Sequence, residues 1–139
     1  MRPIPDGYEC RLDITVTAAM TVDFGHLGAA HQVYATYWMA RHFEEVGRMV
    51  LVPHLETGEQ GAGTKVHVEH DAAAPLGSSL VVTGRHRATS GNRLLVDCAA
   101  TLPDGTVVGH GWTEQAVLPE HVLASRLDGP EAPGQPSTR

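Results

Sequence analysis

Aromatic residues are scarce in this chain of 139 residues: two Trp, three Tyr and two Phe. Positive charge is scarce as well. Lys65 is the single lysine beside nine arginines, and the net charge of −6 argues against broad nucleic-acid binding while leaving room for an anion held by local arginines. No apolar run approaches the ~20 residues that span a bilayer, and the opening MRPIPDGYEC lacks the apolar core of a secretory signal. A cytoplasmic protein without a membrane partner is the expectation. Cysteine is limited to Cys10 and Cys98, far apart and without metal-ligand spacing. Each sits on the inward side of an alternating apolar run, so two buried thiols are expected rather than a disulfide.

Metal and cofactor motifs are missing despite nine histidines. There is no HExxH and no CxxC. His67 and His70 fall on opposite faces of a strand and cannot chelate one ion, and His42 with Glu45 has no second pair to complete a site. The GAG at 61–63 lacks the further glycine and the preceding strand of a dinucleotide fingerprint, and reads as a flexible lead-in to a strand. No metal and no cofactor are expected. Arg85 and Arg87 share an outward strand face with Arg93 beyond the turn; they suit either a solvated face or the phosphates of a bound anion.

What is present suits one domain. The hydrophobic fraction of 42% against 19% charged residues is enough for a core. The pattern gives a domain over 1–127 and a Pro-, Gly- and Ser-rich tail over 128–139 that reads as disordered. Tyr8–Ala18 alternates cleanly and predicts a half-buried strand. Thr21–Ala30 reads as a loop. A hydrophobic helical segment runs from Val33 to Leu51, with Val33, Tyr37, Ala40, Glu44, Gly47 and Leu51 on one stripe, ended by Pro53 and the region of Gly58. Strands follow at Thr64–Asp71, Ser79–Thr89, Arg93–Leu102 and Thr106–Leu118, the last three joined by short turns into an antiparallel meander. Pro119–Leu127 reads as a short helix. One long buried helix against an antiparallel sheet is an α+β layer arrangement. A curved sheet wrapping such a helix is the hot-dog fold, which commonly pairs edge to edge in a dimer.

Three polar residues stand in apolar company. Glu44 lies mid-stripe between the small residues Ala40 and Gly47, and Gly47 costs ~1 kcal/mol relative to alanine in a helix interior, so space is needed there. An ordinary pair with Arg48, four residues on, is the plain alternative. His70 shares the inward parity of Thr64, Val66 and Val68; a histidine held by a backbone carbonyl is its plain alternative. Thr36, near the helix start, is either a cap or a hydroxyl beside the unpaired N–H groups of a helix N-terminus. A hydroxyl, a carboxylate and an imidazole are the groups needed to cleave an acyl bond. Thr36 and Glu44 are eight residues apart, or ~12 Å along a helix. Either His70 lies between them or one member comes from a partner subunit.

At these residues the chain resembles the fluoroacetyl-CoA thioesterase family of hot-dog hydrolases. The resemblance runs from VYAT (Val33–Thr36) through Glu44 to GAGTKVHVEHDAAAP (Gly61–Pro75) and on into the C-terminal strands. It implies that Thr36, Glu44 and His70 form the catalytic set, that Gly63 lies near the acyl group, and that a homodimer cleaves an acyl-CoA thioester. An acyl-carrier protein presents the same pantetheine arm and is an equal candidate substrate. The family's fluoroacetate-specific member has a longer segment before the helix, with phenylalanines that cover the acyl pocket. Here Thr21–Gln32 is shorter and carries only Phe24, which argues against fluoroacetyl selectivity. Phe24, Tyr37 and Ala40 are the remaining substrate-binding candidates, and Tyr34 and Trp38 are further aromatics able to shape the pocket. A small acyl group fits this crowded helix start. Two other readings remain open: a hot-dog hydratase, and a non-catalytic protein that sequesters a small hydrophobic molecule.

Overall fold

A computed structural model of the chain describes residues 1–127; the expected disordered tail, 128–139, lies outside the described residues. The elements are β1 (Glu9–Thr15), β2 (Thr21–Asp23), β3 (Ala29–Tyr34), α1 (Thr36–Leu51), β4 (Glu59–His70), β5 (Ser79–Ser90), β6 (Arg93–Thr101), β7 (Val107–Pro119) and α2 (Glu120–Leu127). Five strands form one antiparallel sheet in the order β1-β5-β6-β7-β4. The meander β5-β6-β7 is the one expected, and Gly91 (φ +58°) turns the chain where Ser90 pairs with Arg93. The sheet wraps α1, which makes this the hot-dog arrangement.

Strand alternation and helix periodicity meet in one core. Leu94, Val96, Cys98 and Ala100 of β6 and Leu80 and Val82 of β5 face Met39, Phe43, Val46 and Val50 of α1, all buried. Both cysteines are free thiols. Cys98 is fully enclosed, and burial above all pushes its thiol up to about 12, so it is inert packing; Cys10 is only half-buried.

Several sequence expectations need correction. Thr21–Ala30 is not a plain loop. It carries β2, a 3-10 turn at Gly25–Leu27 and the start of β3, a small hairpin. Val33 and Tyr34 belong to β3 rather than to the helix: Val33 bridges Pro75, and the Tyr34 N–H donates to the Ala74 carbonyl at 2.8 Å. Local periodicity cannot reveal pairing with a segment some forty residues away. β4 begins at Glu59, so the GAG of 61–63 is strand backbone paired with Val117, Ala116 and Gln115, with a bulge between Gly63 and Lys65.

The helix stripe is also displaced. The buried face of α1 is Met39, His42, Phe43, Val46, Gly47, Val50 and Leu51, while Tyr37 and Glu44 are exposed and Ala40 is half-buried. Glu44 borders β4 at Gly63, and β4 is an edge strand. For the same reason Val66, expected inside, is 41% exposed.

Candidate active site

Thr36 is the first residue of α1, and Ala35, not Thr36, is the capping residue. No earlier turn covers the Thr36 and Tyr37 N–H groups, whereas those of Trp38 and Met39 donate to the Ala35 carbonyl at 3.1 and 3.0 Å. The first turn carries no acidic side chain, so the positive end of the helix dipole is unneutralised. This is the electrostatic setting in which a developing oxyanion is stabilised.

His70 closes β4. Its backbone pairs with Gly109, a position where a Cβ would collide with the Met39 side chain, so α1 sits close against this end of the sheet. That approach brings His70 to the helix start. Thr36 Oγ1 lies 2.8 Å from His70 Nδ1. A neutral imidazole with an unprotonated Nδ1 accepts the threonine proton in this geometry, the relation of hydroxyl to base.

Beneath His70 lies a pair that sequence reasoning did not single out. The Tyr34 hydroxyl is 2.5 Å from His42 Nδ1, both side chains are buried, and the Tyr34 ring stands edge-on to His70 at 6.5 Å between centroids. Burial lowers the pKa of His42 and raises that of Tyr34. Both are therefore neutral, and the phenol donates to the imidazole. Tyr34 is core, not the wall of an open acyl pocket. The one available signal was its place two residues before Thr36, which on a strand puts both on one side.

Glu44 does not join Thr36 and His70 within the protomer. It lines a separate small cleft of about 100 Å³ with Arg48, Gly63, Lys65, Thr113, Glu114 and Gln115. Gly63 lies against it: a Cβ there would stand 3.0 Å from Glu44 Oε1, so any larger residue would push the carboxylate aside. The expected pair with Arg48 is not made: its guanidinium donates to Gln60 Oε1 at 2.9 Å and to the Gly61 carbonyl at 3.3 Å. Gly47 leaves space, as expected, but Thr113 fills it, since a Cβ on Gly47 would lie 2.5 Å from Thr113 Oγ1. Thr113 and Gln115 were not anticipated, although both fall on the inward parity of β7.

Phe24 and Tyr37 flank the helix start, their rings 5.5 Å apart. The Tyr37 hydroxyl donates to the Asp23 carbonyl and accepts from the Asp23 N–H, both at 3.0 Å, which ties the hairpin loop to α1. Ala40 stands half-buried one turn beyond Thr36. Two of the three outward arginines are engaged: Arg87 pairs with Asp97 at 2.5 Å and Arg93 with Glu114 at 3.3 Å. Among the described residues no group of three or more His, Cys, Asp or Glu side chains is placed to hold a metal ion, and no helix is long and apolar enough to cross a membrane.

Known proteins share this fold. The fluoroacetyl-CoA thioesterase of Streptantibioticus cattleyicolor is 36% identical over 88 residues, 63% of this chain and 62% of its own length, so the chain spans under two thirds of that curated relative. A Thermus thermophilus protein of the thioesterase superfamily superposes with a TM-score of 0.90 at 44% identity, covering 92% of this chain and 93% of that one. A crystal structure of the fluoroacetyl-CoA thioesterase itself gives 0.83 at 26% identity over 94% and 99% of the two chains. A mutant of that enzyme in complex with fluoroacetate and CoA gives 0.76 at 29% identity over 86% and 98%. Residues 16–121 match the fluoroacetyl-CoA-specific thioesterase family, and the chain belongs to that family.

Proposed function

We propose that this protein hydrolyses the thioester of a small acyl-CoA, with Thr36, His70 and Glu44 as its catalytic residues. The observation that carries the reading is the 2.8 Å contact between Thr36 Oγ1 and His70 Nδ1 at a helix N-terminus with free N–H groups. His70 takes a proton either from the Thr36 hydroxyl, which then attacks the thioester carbonyl, or from a water that Thr36 orients. The tetrahedral intermediate collapses with loss of the CoA thiolate, which receives the proton from His70. On the Thr36 route a water then cleaves the acyl ester to free the acid and restore the hydroxyl. The Thr36 and Tyr37 N–H groups hold the oxyanion, and the Gly63 backbone is the alternative donor. Crowding by Phe24, Tyr37 and Ala40 favours a short acyl group. The family's activity and the CoA complex of a relative support acyl-CoA as substrate. An acyl-carrier protein offers the same pantetheine thioester and is the second substrate class.

The working unit in this proposal is a homodimer. β4 presents a 12-residue edge with no neighbour in the protomer and an exposed Val66 beside it. Antiparallel pairing of two β4 strands, centred between Val66 and His67, sets His70 of one copy opposite Gly63 of the other. Gly63 adjoins Glu44. The carboxylate that lies ~12 Å from Thr36 along its own helix then reaches the Thr36–His70 pair of the second copy.

Release of free thiol from a panel of acyl-CoAs, with fluoroacetyl-CoA, acetyl-CoA and an acyl-carrier thioester included, tests the reading. Turnover of at least one short acyl-CoA is expected. Formation of a 3-hydroxyacyl product from an enoyl-CoA without thiol release would replace hydrolysis by hydration. A ligand-induced rise in Tm with no turnover of any thioester would make the protein a sequestering one. A burst of thiol release before steady state, with the acyl group recovered on Thr36 by mass spectrometry, identifies the acyl-Thr36 route.

A further inference from the structure

Two buried polar atoms of the Glu44 cleft have no hydrogen-bond partner: Gln115 Nε2 and Thr113 Oγ1. Their residues are only 5% and 2% exposed. Leaving such a group unsatisfied forfeits its hydration without return, and shape-matched apolar residues would avoid that cost. Both lie on β7 and pack against Gly47. A Cβ there would meet Thr113 Oγ1 at 2.5 Å and Gln115 Nε2 at 3.5 Å. Gly63 opens the same cleft from β4, next to Glu44 Oε1. The Cys98 thiol near Thr113 directs its own proton to backbone carbonyls of Phe43 and Val96. The Thr113 hydroxyl has only the weakly accepting Cys98 sulfur beside it, and the Gln115 amide has no partner at all, in a cleft that Gly63 keeps open and whose lining includes the Glu44 carboxylate.

We propose that Gln115, assisted by Thr113, is a positioning residue for Glu44: its amide N–H groups hold, through water in the cleft, the ionised Glu44 carboxylate. The proposal rests on the reading of Glu44 as a catalytic residue only for its effect on turnover. The cleft volume of about 100 Å³ has room for a few water molecules. A donor directed at a carboxylate favours its charged form and restricts its orientation. The other charges facing the cleft are already committed. Arg48 on α1 is held by Gln60 and Gly61, while Lys65 on β4 pairs with Glu114 on β7, which also receives Arg93 and Thr64. Gln115 is the uncommitted donor among them.

The test uses Gln115→Met and Thr113→Val, which keep shape and remove hydrogen bonding, and carbon-13 NMR titration of the Glu44 carboxyl, assigned with Glu44→Gln. In the parent protein the side-chain amide signals of Gln115 follow the titration of Glu44 and lose that response in Glu44→Gln. Gln115→Met lowers kcat at least ~10-fold, the low end for a group acting through another, with KM within twofold and Tm equal to or above the parent's. Gln115 signals indifferent to Glu44 ionisation in the parent overturn the proposal whether or not the variants fold. So does an unchanged kcat in a folded Gln115→Met whose parent releases thiol. Absence of thiol release from every thioester in the parent overturns the hydrolase reading instead and leaves the NMR coupling as the criterion for this one.

Discussion

A threonine at the first position of a helix is ordinarily a cap or a bystander; here its hydroxyl is aimed at an imidazole 2.8 Å away. The proposed roles predict that Thr36→Ala, His70→Ala and Glu44→Ala each reduce kcat by at least ~100-fold with the fold retained by circular dichroism. Near-parental rates in two of the three would sink the assignment. Below this site, the Tyr34–His42 pair gives a stability signature. Burial keeps the His42 imidazole neutral in the folded protein, while in the unfolded chain it protonates near its ordinary value of 6.5. The unfolded state then binds more protons. Stability from this group is fully present above that value and is lost as pH falls toward and through the lowered folded value. Tm therefore declines below pH ~6.5, and the decline is shallower in His42→Gln, which differential scanning calorimetry across pH 5–8 reads. The candidate residues Thr36, Glu44 and His70 were legible because a polar group in an apolar run stands out. Tyr34 and His42 were not, because each looks ordinary until the fold stacks them.

Elements owe their placement to small residues at the helix–sheet contact. Replacing Gly47 by alanine adds ~1 kcal/mol of helix propensity, yet its Cβ would stand 2.5 Å from Thr113 Oγ1. Overpacking of this kind costs ~1–3 kcal/mol, so Gly47→Ala is expected to lower stability. Gly47→Ala with Thr113→Ala recovers most of the loss. A double-mutant cycle by urea unfolding measures the coupling, and additive effects would show that the two positions do not meet. The boundaries of α1 show what pattern alone cannot supply. The apolar run from Val33 looks helical, but the Tyr34 N–H is claimed by Ala74 and Val33 by Pro75, so the helix waits until Thr36. Likewise the glycines of 61–63 suggest looseness, although β7 holds them in register.

The whole molecule has two kinds of edge. β1 is an outer strand of seven residues, whereas β4 is a 12-residue edge bordered by Glu44, Gly63 and the exposed Val66. Pairing along β4 predicts sedimentation at twice the 14.9 kDa protomer mass, and Val66→Lys is expected to shift the protein toward monomer and abolish turnover. It also predicts complementation. Two inactive variants, Thr36→Ala and Glu44→Ala, co-expressed as mixed dimers, rebuild one complete site and restore about a quarter of parental turnover, since half of a random population is mixed and each mixed dimer has one working site. No recovery from verified mixed dimers would place all three residues in one protomer.

By itself the sequence determined the alternation that builds a five-stranded sheet, the long helix laid against it, the thiol character of both cysteines and the three polar residues worth weighing. Those follow from period and polarity, which are local. Only the tertiary structure decided that Thr36 meets His70, that Glu44 stands apart beside Gly63, and that Thr113 rather than empty space adjoins Gly47. Each of these depends on how closely the helix approaches the sheet and where β4 ends against it, and such distances arise from contacts between residues remote in the chain.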